Sequence, residues 1–208
     1  MLMKQFRKDF PALMRDDPVA YLDNACVTLK PQSVIDAIQD YYINSPGCGG
    51  RSVHRYGTHV SKTISQSRKK LSDFFSSPSV NEIVFTRNAT HSLNQIAKGL
   101  EWNKGDVVLT TDREHNSNLV PWLQLEQEQG IDHRIVRSNH DNTFNLESFE
   151  EACANAGSQL KMVSMSHVGN LDGVEIPVKD ITKIAKDYGA LVSIDGAQSA
   201  PHMSVDVQ

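Results

Sequence analysis

Four apolar runs in this chain give way to polar residues of types that bind or move charge. The first, at 82–86, is followed by Arg87-Asn88-Ala89-Thr90-His91. Residues Leu93, Ile96, Ala97 and Leu100 then recur at helical spacing, so Thr90 stands at a helix start, where free amides, the dipole and a hydroxyl favour a phosphate. A plain helix cap by Asn88 or Thr90 is the alternative. The run at 106–111 leads into Asp112-Arg113-Glu114-His115, and an imidazole there could stack on a flat ring, move a proton or simply be solvated. After 161–165 comes Ser166-His167-Val168-Gly169-Asn170, which sets a side-chain amide at a strand end unless Asn170 only makes a turn. The run at 190–194 closes with Asp195-Gly196-Ala197-Gln198. A carboxylate there needs a partner, because burying an unpaired charge is costly, and a metal, an arginine or a protonated ring nitrogen would each serve.

These groups matter jointly because ligands of open α/β sheets lie outside the carboxyl ends of the strands. A phosphate cradle, a stacking ring, a carboxylate and two amides suit an anionic, flat, nitrogenous cofactor. Pyridoxal 5'-phosphate has the matching handles: a phosphate, a pyridine face, and a ring nitrogen whose proton an acid must hold. Neither GxGxxG nor GxxxxGK[ST] occurs, which argues against a dinucleotide or a nucleoside triphosphate. A metal hydrolase is poorly served, since His54 and His59 lie five apart and HExxH is absent.

The elements that must position these residues follow from periodicity. Residues 1–30 read as an irregular arm broken by Pro11 and Pro18, with only Val19 to Leu22 able to pair as a short strand. Val34, Ile35, Ile38, Tyr41 and Tyr42 predict a helix over 31–44, and Val60, Ile64, Leu71, Phe74 and Phe75 predict a second. Between them Ser45-Pro46-Gly47-Cys48-Gly49-Gly50 is a loop whose glycines permit left-handed backbone or close approach. Beyond Pro78, strands at 82–86, 106–111, 132–136, 161–165 and 190–194 alternate with helices near 90–101, 117–129, 146–156 and 178–188. Such alternation predicts a three-layer α/β/α fold around a mainly parallel sheet.

Composition sets the outer limits. With 208 residues the chain can bury roughly 70% of its unfolded surface. A net charge of -4 without a basic cluster argues against nucleic acid or an anionic membrane as partner. No apolar run reaches the roughly 18 residues of a membrane span and no signal peptide is evident, so a cytoplasmic location is expected. Cys26, Cys48 and Cys153 lack CxxC spacing and read as three reduced thiols.

Six segments, in order, resemble the class V aminotransferase family of fold-type I pyridoxal phosphate enzymes, in its cysteine desulfurase and selenocysteine lyase branch. They are YLDNA at 21–25, SVHRYGTHVS at 52–61, EIVFTRNATHSLN at 82–94, EHNSNLVPW at 114–122, SHVGNLDGVEIPV at 166–178 and VSIDGAQSAPHMSVDVQ at 192–208. The resemblance implies that Ala89, Thr90 and His91 hold the phosphate, that His115 stacks on the ring and acts in catalysis, and that Asp195 pairs with the ring nitrogen. Asn170 and Gln198 would contact the ring hydroxyl side, and His54 and Arg55 would approach the substrate, often across a dimer interface. His91 and Cys26 depart from the family's usual acidic and small residues.

By the same resemblance residues 31–208 are the N-terminal portion of the large domain. The Schiff-base lysine, the last strands, the small domain and the loop bearing the nucleophilic cysteine would follow Gln208. The chain is then expected to bare the edge at 190–194, to bind the cofactor weakly, and to be inactive alone. A complementing C-terminal chain and a homodimer are the implied partners, with cysteine or a similar amino acid as the small-molecule substrate. A non-catalytic remnant or one half of a split protein is the competing reading.

Overall fold

A computed structural model describes residues 5–17 and 20–208. They form two compact units, one spanning Met1–Ile83 with Asp206–Gln208, the other Val84–Val205.

In the first unit the arm makes 3-10 turns at Arg7–Asp9 and Pro11–Leu13. Residues 20–22 form no strand, and Val19, the start of the expected short strand, lies outside the described residues. Helix α1 (Gln32–Asn44) begins directly after Pro31, and α2 (Arg55–Phe74) is a longer helix than the one expected from Val60 onward. The extension arises because His54 caps it, its Nδ1 accepting the Gly57 amide at 3.4 Å. In the loop between the helices Gly50 has φ +88°, which costs a residue with a Cβ. At Gly47 a Cβ would lie 2.9 Å from the Tyr56 carbonyl carbon, so close approach is the reason for that glycine. The chain end returns to this unit, where the Val207 amide donates to the Phe75 carbonyl at 3.1 Å. Ile38 and Tyr42 on α1 are 57% and 71% exposed, so its apolar stripe is uncovered.

The second unit is the expected three-layer α/β/α fold. Strands β1 (Val107–Thr111), β2 (Asp132–Val136), β3 (Leu160–Ser166) and β4 (Leu191–Asp195) form one parallel sheet in the order β2-β1-β3-β4. Helices α3 (Ala89–Gly99), α4 (Asn116–Gln129), α5 (Leu146–Ala156) and α6 (Val178–Asp187) precede or connect them. Side chains alternate across the sheet, so successive residues serve opposite cores. Val107, Leu109, Val163 and Met165 face Phe149 and Cys153 of α5 and Ile181 and Ala185 of α6. Val108 and Met162 turn the other way, onto Ala97 of α3 and Trp122 and Leu125 of α4. With both faces covered, β1 and β3 read as largely apolar runs, which is why their boundaries were legible within a residue or two, whereas the edge strand β2 carries Asp132, His133 and Arg134.

One expected strand is different. Residues 80–82 make a 3-10 turn and 83–86 carry no regular structure. Apolar sequence licenses a strand, but only ladder hydrogen bonds make one, and both edges of the sheet, β2 and β4, run without this segment. The edge at β4 is bare, as expected. Among the described residues no helix is long and apolar enough to cross a membrane.

The polar positions on β1 are buried with partners. Thr110, fully buried, bonds His133 Nε2 of β2 at 2.9 Å. Burial holds the His133 imidazole below its usual pKa, against the opposing pull of Glu126 and Asp132. A histidine with a depressed folded pKa binds its proton more readily when unfolded. Its contribution is therefore complete above the unfolded value of about 6.5 and is lost as pH falls below it. The urea midpoint of the wild-type chain should fall between about pH 7 and about pH 5. His133→Gln should flatten that fall, and identical pH profiles for the two proteins would refute the assignment.

Candidate functional site

All of Ala89, Thr90, His91, His115, Asn170, Asp195 and Gln198 belong to the second unit, the first three at the start of α3 and the others in the segments that follow β1, β3 and β4 or, for Asp195, at the end of β4. His54 and Arg55 belong to the first unit, as the cap and first residue of α2.

The start of α3 is built by Asn88, its N-cap, whose Oδ1 accepts the His91 amide at 2.9 Å. Asn88 thus makes the cap, and Thr90 is left for another role. Its exposed hydroxyl reaches from α3 to Ser117 Oγ of α4 at 2.6 Å. Ser117 Oγ in turn lies 2.9 Å from His115 Nδ1, and the Ser117 amide donates to the same nitrogen at 3.1 Å. Two of the predicted residues, 25 positions apart, are therefore joined by one serine that no motif singled out. The His91 imidazole folds back, its Nδ1 accepting the Arg87 amide at 3.3 Å. That contact closes its own loop.

His115 stands where it does because of the residue before it. Glu114 follows the turn after β1, and its Oε1 accepts the Thr111 hydroxyl at 2.6 Å and the Thr111 amide at 3.3 Å. Its Oε2 accepts Asn118 Nδ2 at 2.7 Å, the Ser166 amide at 2.9 Å and the Ser166 hydroxyl at 2.7 Å. One carboxylate thus gathers donors from β1, α4 and β3. Fully buried Asn118 continues the network, its Oδ1 accepting the Ser164 hydroxyl at 2.5 Å. The fully buried Trp122 indole donates to the same oxygen at 3.4 Å.

Across from His115, the chain leaves β3 and folds into a short hairpin closed by a bridge between Val168 and Glu175, with Asn170 at its turn. His115 and Asn170 line the same cleft of about 450 Å³, together with Arg113, Glu114, Leu171 and Asp172. Thr90, His91, Asp195 and Gln198 are not among its lining residues.

Asp195 closes β4 opposite Ser166 of β3, and its own carbonyl accepts the His167 amide at 3.0 Å. The side chain is 9% exposed and its Oδ1 accepts the Ala197 amide at 2.9 Å. A carboxylate this buried, held by one neutral amide, has capacity for a charged or strongly donating partner. Gln198 follows in the turn after β4. Ser193, two residues before Asp195, and Ser199, four after it, are both buried.

Cys153 is fully buried in the α5 core and its thiol is pushed up to about 11, mainly by burial, while Cys26 and Cys48 are exposed in the other unit.

Sequence reasoning missed Glu114, Ser117, Asn118, Arg113 and Asp172. Glu114 and Asn118 do stand four apart, but Glu114 precedes the N-cap of α4, so helical spacing alone does not bring them together. The link from Glu114 to Ser166 crosses 52 residues and leaves no local signal. Glu114→Gln turns an amide NH2 toward groups that are themselves donors. It should cost about 1.5–3 kcal/mol in urea unfolding, and an unchanged midpoint would show that the network does not hold these strand ends.

Comparison with known proteins places these features. The Aminotransferase class-V family profile matches residues 20–208. A probable cysteine desulfurase of Halalkalibacterium halodurans is 36% identical over 210 residues, covering 98% of this chain and 51% of that protein. The apo structure of a cysteine desulfurase from Thermococcus onnurineus superposes with a TM-score of 0.89 at 35% identity, covering 98% of this chain and 50% of that one. The cysteine desulfurase CsdA of Escherichia coli gives 0.86 at 29%, covering 99% and 51%. The chain spans about half the length of the curated relatives it matches.

Proposed function

The chain belongs to the class-V aminotransferase family, and from that premise we propose that its strand-end loops form the pyridoxal 5'-phosphate side of a cysteine desulfurase-like site. The observation that carries the proposal is the hydrogen-bonded series Thr90–Ser117–His115, which ties a helix-start hydroxyl to an imidazole from a different loop. The buried Asp195 supports it independently, because its spare acceptor capacity suits a protonated ring nitrogen.

In this reading the first-turn amides of α3, with Ala89 and the Thr90 hydroxyl, attract the phosphate. His91 stands beside that position and acts through loop shape. His115 stacks on the ring and handles a proton at Nε2, the nitrogen left over once Nδ1 accepts from Ser117. Asp195 keeps the ring nitrogen protonated, and Asn170 and Gln198 address the ring hydroxyl. His54 and Arg55 serve the substrate, which is cysteine or a similar amino acid. When bound, pyridoxal 5'-phosphate supplies an electron sink for negative charge on the carbon beside an amino group.

The division proposed is an arm over 1–30 and the N-terminal portion of the large domain over 31–208. The tethering lysine is supplied from outside residues 1–208, on a C-terminal complement to this half of the fold, and the complete assembly is a cytoplasmic homodimer. The bare β4 edge, where Leu191 is 49% exposed, favours such a complement. It equally favours the second reading, a non-catalytic half whose work is to bind that partner segment.

Pyridoxine 5'-phosphate tests the pocket directly, because it keeps phosphate, ring nitrogen and hydroxyl but has no aldehyde to react with surface lysines. Equilibrium dialysis should show one saturable site per chain, weakened at least about tenfold by Thr90→Val combined with Asp195→Asn. Absence of saturable binding would overturn the pocket. The chain alone should release no sulfide from cysteine, and release at the rate of its full-length relatives would overturn the external lysine.

A further inference from the structure

We propose that Arg113 and Asp172 are positioning residues: their ion pair clamps the loop bearing His115 to the turn bearing Asn170 and so sets the width of the cleft between them. The inference deepens the cofactor-site reading and rests on it only for what enters the cleft.

Arg113 lies two residues before His115, and Asp172 two residues after Asn170. The Arg113 Nη2 pairs with Asp172 Oδ2, and Nη1 donates to Asn142 Oδ1 at 2.7 Å, which anchors the guanidinium to a third loop. The two side chains are 30% and 24% exposed, so water screens the pair less than it would on an open surface. Asp172 is itself fixed, its Oδ1 accepting the Val174 amide at 3.1 Å. The Val174 amide bond, then the Arg113 guanidinium, hold its carboxyl below the usual range.

Two further observations place the pair structurally. Arg113, Gly169 and Asp172 line both the 450 Å³ cleft and a smaller cavity of about 20 Å³ beside it. They therefore stand where one space ends and the other begins. At Gly169 a Cβ would lie 2.4 Å from Asp172 Oδ1. Glycine is what allows the carboxylate to reach its place, and because that oxygen ends a movable side chain, Gly169→Ala should displace it without unfolding the hairpin.

The test uses the full chain and reads amide hydrogen exchange at Gly169 and Gly173, whose amides donate to Val174 and Gly169 carbonyls at 2.9 and 3.0 Å. Arg113→Gln, Asp172→Asn and Gly169→Ala should each speed exchange there about fivefold, the scale of a half-buried ion pair, with the urea midpoint held. Exchanging the charges, Arg113→Asp with Asp172→Arg, should recover most of the protection. Unchanged exchange in the single variants overturns the clamp. Pyridoxine 5'-phosphate separates the two claims. If the parent chain does not bind it, the cofactor reading falls while exchange still decides the clamp. If parent and single variants bind it equally well, the pair does not set the cleft.

Discussion

The geometry of the second unit hangs on one carboxylate. Glu114 accepts five hydrogen bonds from Thr111, Asn118 and Ser166, which come from two strands and a helix. A backbone ladder fixes strands relative to each other along their length, but it does not decide what the loops do once the ladder ends. A charged acceptor placed at that point does, because each donor it satisfies would otherwise be desolvated without return. His115 is the next residue in sequence, so its starting position is inherited from this cluster. Ser166 is the last residue of β3, so the hairpin with Asn170 inherits the same origin.

Beneath that cluster the sheet supplies stiffness. Alternate residues of β1 and β3 serve separate cores, with Phe149 and Ile181 on one side and Trp122 and Leu125 on the other. The polar positions among them, Thr110, Ser164 and Asn118, are fully buried and each has a partner. Thr110 and Ser164 lie toward the carboxyl ends of β1 and β3 and Asn118 in the first turn of α4, where the apolar layer passes into polar loops. Such satisfied polar groups add less to stability than equal apolar area would, but they permit few alternative arrangements.

How much of this was legible depends on the range of the cause. The four strands and the helices α3 to α6 follow from local periodicity, and their positions in the sequence needed nothing more. The segment at 82–86 has the composition of a strand yet forms none, because a strand is a relation between segments and its partner is not set by its own residues. The rim residues were identifiable by type and place, since a carboxylate, an imidazole and an amide at strand ends are unusual. What joins them was not: Ser117 between Thr90 and His115, and Asp172 against Arg113, are contacts across 27 and 59 positions. His91, placed by motif, has its Nδ1 on the Arg87 amide of its own loop, a contact that no motif signals.

The Ser117 contacts have a consequence for the direction of proton traffic. An amide N–H cannot reverse its polarity, so the ring nitrogen that it addresses on His115 must present a lone pair, and the uncharged imidazole carries its hydrogen on the opposite nitrogen. The neutral ring therefore offers its surroundings an N–H and no lone pair. A proton can be taken up only at the nitrogen the backbone occupies, so the helix would first have to surrender its cap, and the polarity of this side chain is set by the backbone on which it sits.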